Sequence, residues 1–341
     1  MSDATPAGFT QLLDLAGERF GGAVLLANDE FFAPKEGLLK PHEAEWREGA
    51  YTERGKWMDG WETRRRRDDG HDWCLIRLGV PGLVRGVVVD TAFYTGNYPA
   101  ACSLEACDVP GVPDAAKLAA REGVWREIIP KTPLQGNTKN AIAVREAMRA
   151  THLRFRIYPD GGVARLRVHG EPVLDWARLA RRGEVDLAAA EHGGRALAWS
   201  DMHYGSAQNL LLPGRSTHMG DGWETARRRT AGHEFAIIRL GHAGTLSRVE
   251  LDTDHYKGNA PGECELHACH WTGDDRPPLR SDSEPWRTLL PRTLLQPHAR
   301  FVWDDVLGSL GTVNHVRLRI FPEGGVARLR CFGRPALESG A

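Results

Sequence analysis

No run of apolar residues in this 341-residue chain approaches the roughly 18 that a membrane-spanning helix needs. Neither charge is in excess: 44 Lys and Arg stand against 45 Asp and Glu. The net charge of −1 therefore provides no general attraction to nucleic acid or to an anionic membrane. Cysteine is scarce. Six in a chain of this length do not make a disulfide framework, and a reduced, cytoplasmic setting is the expectation. The N-terminal MSDATPAGFTQLLDLAGERF has neither the basic start nor the apolar core of a secretory signal. There is no HExxH or paired CxxC pattern, no Walker A loop and no dinucleotide fingerprint in a suitable context. Hydrophobic residues at 41% are enough for real cores, and the length suits two domains of ordinary size.

What is present is a duplication. Residues 59–71 read DGWETRRRRDDGH, and residues 221–233 read DGWETARRRTAGH. An offset of 162 holds without a gap from Asp59–Cys107 to Asp221–Cys269, with about half of the positions identical. WREIIPKTPLQ from Trp125 then parallels WRTLLPRTLLQ from Trp286, and LRFRIYPDGGVARLRVHG from Leu153 parallels VRLRIFPEGGVARLRCFG from Val316. A period this long means two similar domains rather than a solenoid. They are assigned to residues 1–183 and 184–341, joined by a linker with a short helical pattern.

Each repeat reads as strands. Cys74, Ile76 and Leu78 alternate with other residues, as do Ala236, Ile238 and Leu240, the pattern of a half-buried strand. Leu153, Phe155 and Ile157 share one face; PDGG reads as a hairpin turn, and Ala164, Leu166 and Val168 continue the inner face. Helical patterns are few: QLLDLAGERF, NAIAVREAMRA and VLDWARLARR. The expectation is an all-β chain of two tandem jelly-roll β-sandwich domains with few short helices. The arginines at 154, 156, 165 and 167, and at 317, 319, 328 and 330, fall on the outer face of the supposed hairpins. They read as a ladder paired with carboxylates at an interface, or as holders of an anionic substrate. Exposed sandwich edges and this arginine face lead us to expect a homo-oligomer.

The chain resembles the allantoicase family. The resemblance rests on DGWETRRRR, HDWCLIRLG, DTAFYTGNYP and YPDGGVARLRVHG in the first repeat. In the second it rests on DGWETARRR, HEFAIIRLG, DTDHYKGNAP and FPEGGVARLR. It implies galactose-binding-like topology in both domains. It also implies hydrolysis of allantoate, a small ureide, to ureidoglycolate and urea. A non-catalytic tandem binding module and an enzyme acting on a neighbouring ureide such as ureidoglycolate stand as alternatives. The copies differ, since Asp254 stands where the first copy has Ala92, so one role for both is not assumed.

That reaction needs an acid for the departing urea nitrogen, a base for water or the remaining ureido group, a cation for the carboxylate and polar groups for the ureido arms. The acid–base candidates are Asp59 with Glu62 and Asp221 with Glu224, flanking the repeated Trp, His71 and His233 before a strand, and Asp252, Asp254 and His255, the richest cluster. Arg66 and Arg228 are candidates for the carboxylate. Tyr94, Asn97, Tyr256, Lys257 and Asn259 lie in loops after strands, where such folds place ligands. Each has a plain structural alternative: a turn, a loop cap, or a salt bridge among the arginines. The C-x4-C pairs Cys102/Cys107 and Cys264/Cys269 point to opposite faces of a strand and read as buried packing. No cofactor is required by the sequence. If a divalent metal binds, Asp252, Asp254 and His255 are the set that could ligate it. The duplicated loops also raise the expectation of a site near the junction of the copies.

Overall fold

The alternation in HDWCLIRLG runs on into the longest element of the first repeat, the strand Asp72–Asp90. In the computed structural model, which describes residues 8–273, 277 and 285–337, this strand serves both layers of a sandwich. Its first part, around Cys74–Arg77, lies between strands Ala23–Ala27 and Arg149–Tyr158. Its last part, Gly86–Asp90, lies between Lys139–Ala143 and Arg165–Pro172. One layer continues from Arg149–Tyr158 through Ala101–Cys107 to Arg126–Pro133. The other continues from Arg165–Pro172 to Leu13–Asp14. Every pairing is antiparallel, and the eight strands form one continuous set. The strand passes between layers through a glycine-rich middle. A Cβ at Gly82 would stand 2.4 Å from the Glu171 carbonyl oxygen, so no larger residue fits there.

Side chains from both layers meet between them. Trp61, Ile76, Val87, Val89, Leu104, Phe155 and Leu166 are all buried in one cluster. Each such side chain contributes about 1.5–3 kcal/mol from removal of apolar surface. The second repeat builds the same eight-stranded set around Glu234–Asp252. The chain divides into two compact units between Leu174 and Asp175. Two tandem all-β jelly-roll units with two short α-helices among the described residues, Ala115–Ala120 and Trp176–Ala180, are the architecture expected from the strand patterns.

Several local expectations are corrected. PDGG is not a hairpin turn. Arg149–Tyr158 and Arg165–Pro172 do not pair with each other; each pairs with a different half of Asp72–Asp90, so the segment is a crossover between layers. The inner faces were read correctly because alternation fixes the face without fixing the partner. QLLDLAGERF forms short 3-10 turns around the strand Leu13–Asp14, and NAIAVREAMRA supplies parts of two strands. There, Ile142 pairs opposite Val87 at the sheet edge, and tertiary pairing overrides helical propensity. VLDWARLARR does contain a helix, Trp176–Ala180. The first seven residues of the N-terminal segment lie outside the described residues.

The arginines do not form a ladder across one hairpin. Arg154 and Arg156 share Glu105, Arg319 pairs with Glu265, and Arg165 and Arg328 are buried with Asp59 and Asp221, each within its own unit. Cys102 packs in the sandwich core, and Cys107 packs on the opposite face with Leu75 and Leu118 under the helix Ala115–Ala120. All six cysteines are free and buried. Among the described residues no helix is long and apolar enough to cross a membrane.

Candidate active site in the first unit

The stretch DGWET is a clamp with one outward-facing carboxylate. Trp61–Glu62 pairs with Gly162–Val163. Trp61 faces inward, wholly buried, and its indole N–H donates to the Asp29 carbonyl at 2.8 Å. Strand alternation then turns Glu62 to the other side. Thr63 closes the clamp by accepting from the Gly161 N–H at 3.1 Å. Asp59 is not a free acid. Its carboxylate takes the Arg165 guanidinium at 2.5 Å and the Glu45 N–H at 2.9 Å. Burial pushes the Asp59 carboxyl up, but these partners outweigh it and leave it below the ordinary range.

Glu62 has a different environment. Burial pushes its carboxyl up, and one donor, the Asn97 side-chain amide at 2.7 Å, offsets this only in part. Beside it the loop after Asp72–Asp90 is held by Thr91, whose hydroxyl donates to the Gln135 carbonyl at 2.7 Å. Phe93 sits in the left-handed region at φ 68° and donates its N–H to the Asn137 side chain at 2.9 Å. A non-glycine residue there is uncommon and must be held by its surroundings.

These groups line a cleft of about 530 Å³. Its polar lining is Glu62, Thr95, Asn97 and Asn137; Phe32 and Phe93 are aromatic; Trp46, Lys56 and Met58 complete it. The last three come from a segment peculiar to the first copy. A 3-10 turn ends at Leu39 in the first unit and at Leu211 in the second. From there Asp59 lies twenty positions on and Asp221 only ten. The extra residues form a small hairpin, Tyr51–Thr52 against Gly55–Lys56. Arg165 holds its root, donating to the His42 carbonyl at 2.9 Å as well as to Asp59.

The second unit repeats the frame without that hairpin. Asn259 donates to Glu224, and Tyr256 donates to the Met219 carbonyl at 2.7 Å. Tyr94, the match of Tyr256, has its hydroxyl buried without a hydrogen-bond partner among the described residues. Asp252, Asp254 and His255 are brought together, with Arg215 and His298, but are mutually occupied. Asp252 accepts from the Asp254 N–H at 2.7 Å, a cap. Asp254 pairs with Arg215 and lies 3.1 Å from His298 Nδ1. His255 places Nε2 3.0 Å from the Ser216 carbonyl. Lys257 is exposed. Among the described residues no group of three His, Cys, Asp or Glu side chains converges as a metal site would require.

The arginines and histidines of the repeated run are placed elsewhere. Arg66 pairs with Asp72 at 2.6 Å and with Asp68 at 2.8 Å, and Arg228 pairs with Glu234 at 2.5 Å. His71 packs on Tyr158 and His233 on Phe321, ring centroids 5.0 and 5.3 Å apart. Burial and the nearby Arg156 push the His71 pKa down, so it favours the neutral ring. Of the sequence candidates, the first-unit cleft gathers Glu62 and Asn97, with Tyr94 packed behind them. Phe32, Trp46, Lys56, Met58, Phe93 and Asn137 were missed. All of these occur where the two copies differ in length or residue type, and a search guided by repeat identity passes over such positions.

Comparison with known proteins agrees with this duplicated frame. The family model described as "Allantoicase repeat" matches residues 13–173 and again 185–336. A "Probable allantoicase" of Pseudomonas aeruginosa is 48% identical over 98% of this chain and 99% of its own. Another of Stutzerimonas stutzeri is 49% identical over 96% of this chain and 97% of its own. The crystal structure of the Saccharomyces cerevisiae allantoicase is similar at a TM-score of 0.81 and 32% identity, covering 98% of both chains. The chain belongs to the allantoicase family.

Proposed function

We propose that the first unit's cleft is where this chain carries out its family's reaction, the hydrolysis of allantoate to ureidoglycolate and urea. The observation that carries the reading is Glu62: a carboxyl raised by burial, held by one amide donor, at a cleft whose other described lining is apolar or neutral polar apart from one lysine. A raised carboxyl retains its proton nearer neutral pH, as a general acid must.

Protonated Glu62 delivers its proton to the nitrogen of the departing ureido arm as the carbon–nitrogen bond breaks, and urea leaves. The lone pair of the other ureido nitrogen forms the double bond to the same carbon. The ionised Glu62 then takes a proton from water as the hydroxide adds to that carbon. Ureidoglycolate results, and Glu62 regains its proton. Asn97, Asn137 and Thr95 supply donors and acceptors for the two arms. No step calls on a metal. Six free, buried thiols fit a reducing cytoplasm as the setting.

The direct test is urea release from allantoate by the purified chain, with ureidoglycolate measured alongside it. Equal amounts of both are expected; folded protein that releases neither would sink the reading. A pH profile tests the role of Asn97. Its amide stabilises the ionised form of Glu62, so Asn97→Ala raises the carboxyl pKa further. The acid form then persists to higher pH. The alkaline limb of kcat is expected to move up in pH while kcat itself falls. An alkaline limb that stays put would separate it from Glu62.

A further inference from the structure

We propose that Lys56, carried on the hairpin found only in the first copy, is the residue that holds the substrate's carboxylate and selects carboxylate-bearing ureides. The inference rests on the assignment of allantoate hydrolysis to this cleft. Among the described residues that line it, Lys56 is the one cation. The other lysines nearby are engaged: Lys35 with Glu30 and Glu36, Lys40 with Asp59, Lys139 with Glu43. Lys56 makes no ion pair among the described residues.

Its position is set without one. The ammonium lies over the Trp46 ring, 4.1 Å from the centroid, and Trp46 packs against Phe93 at 5.6 Å. A cation over an indole face is held by the ring quadrupole while its N–H donors stay available. The hairpin is rooted at both ends by one buried ion pair, since Arg165 donates to the His42 carbonyl before it and to Asp59 after it. The lysine is therefore placed before substrate arrives, which lowers the ordering cost of binding. Allantoate carries one carboxylate and two neutral arms on a single carbon. One cation and one raised carboxyl are the complement of that substrate. The ten-position link from Leu211 to Asp221 leaves the second unit no counterpart of this hairpin.

Two ligands and two variants test this. Methylenediurea has the same two arms on a carbon bearing hydrogen in place of the carboxylate. Lys56→Met is expected to raise the KM for allantoate by about tenfold to a hundredfold, the worth of a charge-assisted hydrogen bond, with kcat changed far less. The inhibition constant of methylenediurea is expected to be unchanged, and Lys56→Arg is expected to recover most of the loss. An unchanged KM, or an equal loss for both ligands, would overturn the role of Lys56 while the wild-type reaction stood. If the wild type releases no urea, the reaction reading fails on its own. Calorimetric titration of allantoate into wild type and Lys56→Met then still decides whether Lys56 holds the carboxylate.

Discussion

Glu62→Gln is expected to lower kcat for allantoate by about 10²- to 10⁴-fold, the usual range for removing a general acid–base group. The amide keeps the shape of the side chain but can neither deliver the proton to the departing urea nitrogen nor take one from water. Folding should be unaffected, because the burial that raises the carboxyl penalises its charged form, and the amide carries no charge. The melting temperature therefore serves as the control, expected at or slightly above that of the wild type. A variant that melts normally and still turns over at more than a tenth of the wild-type rate would remove Glu62 from the mechanism.

Loss of the buried pair behind the cleft should be the largest stability effect. Arg165 is 1% exposed and Asp59 6%, and the guanidinium also donates to the carbonyls of Ala164 at 2.7 Å and His42 at 2.9 Å. Arg165→Met removes the partner of a buried carboxylate, which costs about 3–5 kcal/mol. Urea or thermal unfolding of the first unit should report it, and activity should fall with it because the same guanidinium roots the hairpin. The pH dependence has a definite sign. Asp59 is held below its ordinary range in the folded chain, so its contribution is present above the unfolded pKa and is lost as pH falls through the folded one. The wild type should therefore lose stability on acidification faster than the double variant Arg165→Met, Asp59→Asn. Arg328→Met at the matched pair Arg328–Asp221, 3.0 Å apart and likewise buried, should destabilise the second unit by a similar amount.

How much of this was legible beforehand varied with the kind of signal. Alternation fixed which side chains face the core where only one face packs against the other layer: Leu153, Phe155 and Ile157 are inward as read. Strand partners were not legible. The crossover at PDGG joins strands in different layers, and only the long Asp72–Asp90 strand, shared by both, decides that. The repeat exposed the clamp, with Glu62 and Asn97 in it, since both copies need the clamp for folding. It also drew notice to arginines and histidines that are matched because they hold loops, as Arg66 does with Asp72. The charge-rich run that opens each repeat thus serves mainly the fold: of its first five residues only Glu62 lines the cleft. Lys56 and Trp46 had no counterpart to align against. Their contribution depends on a hairpin whose position is set by the contacts of Arg165 more than a hundred residues away.

The central claim is that the two copies share a frame but not a role, and one comparison tests it most directly. Glu62→Gln and Glu224→Gln make the same change at matched positions, each beside its asparagine donor. Urea release from saturating allantoate is to be measured for both, with melting temperatures alongside. The account predicts near-complete loss for Glu62→Gln and close to wild-type turnover for Glu224→Gln. Equal loss in both, with both proteins folded, would contradict it and assign the chemistry to the two copies together.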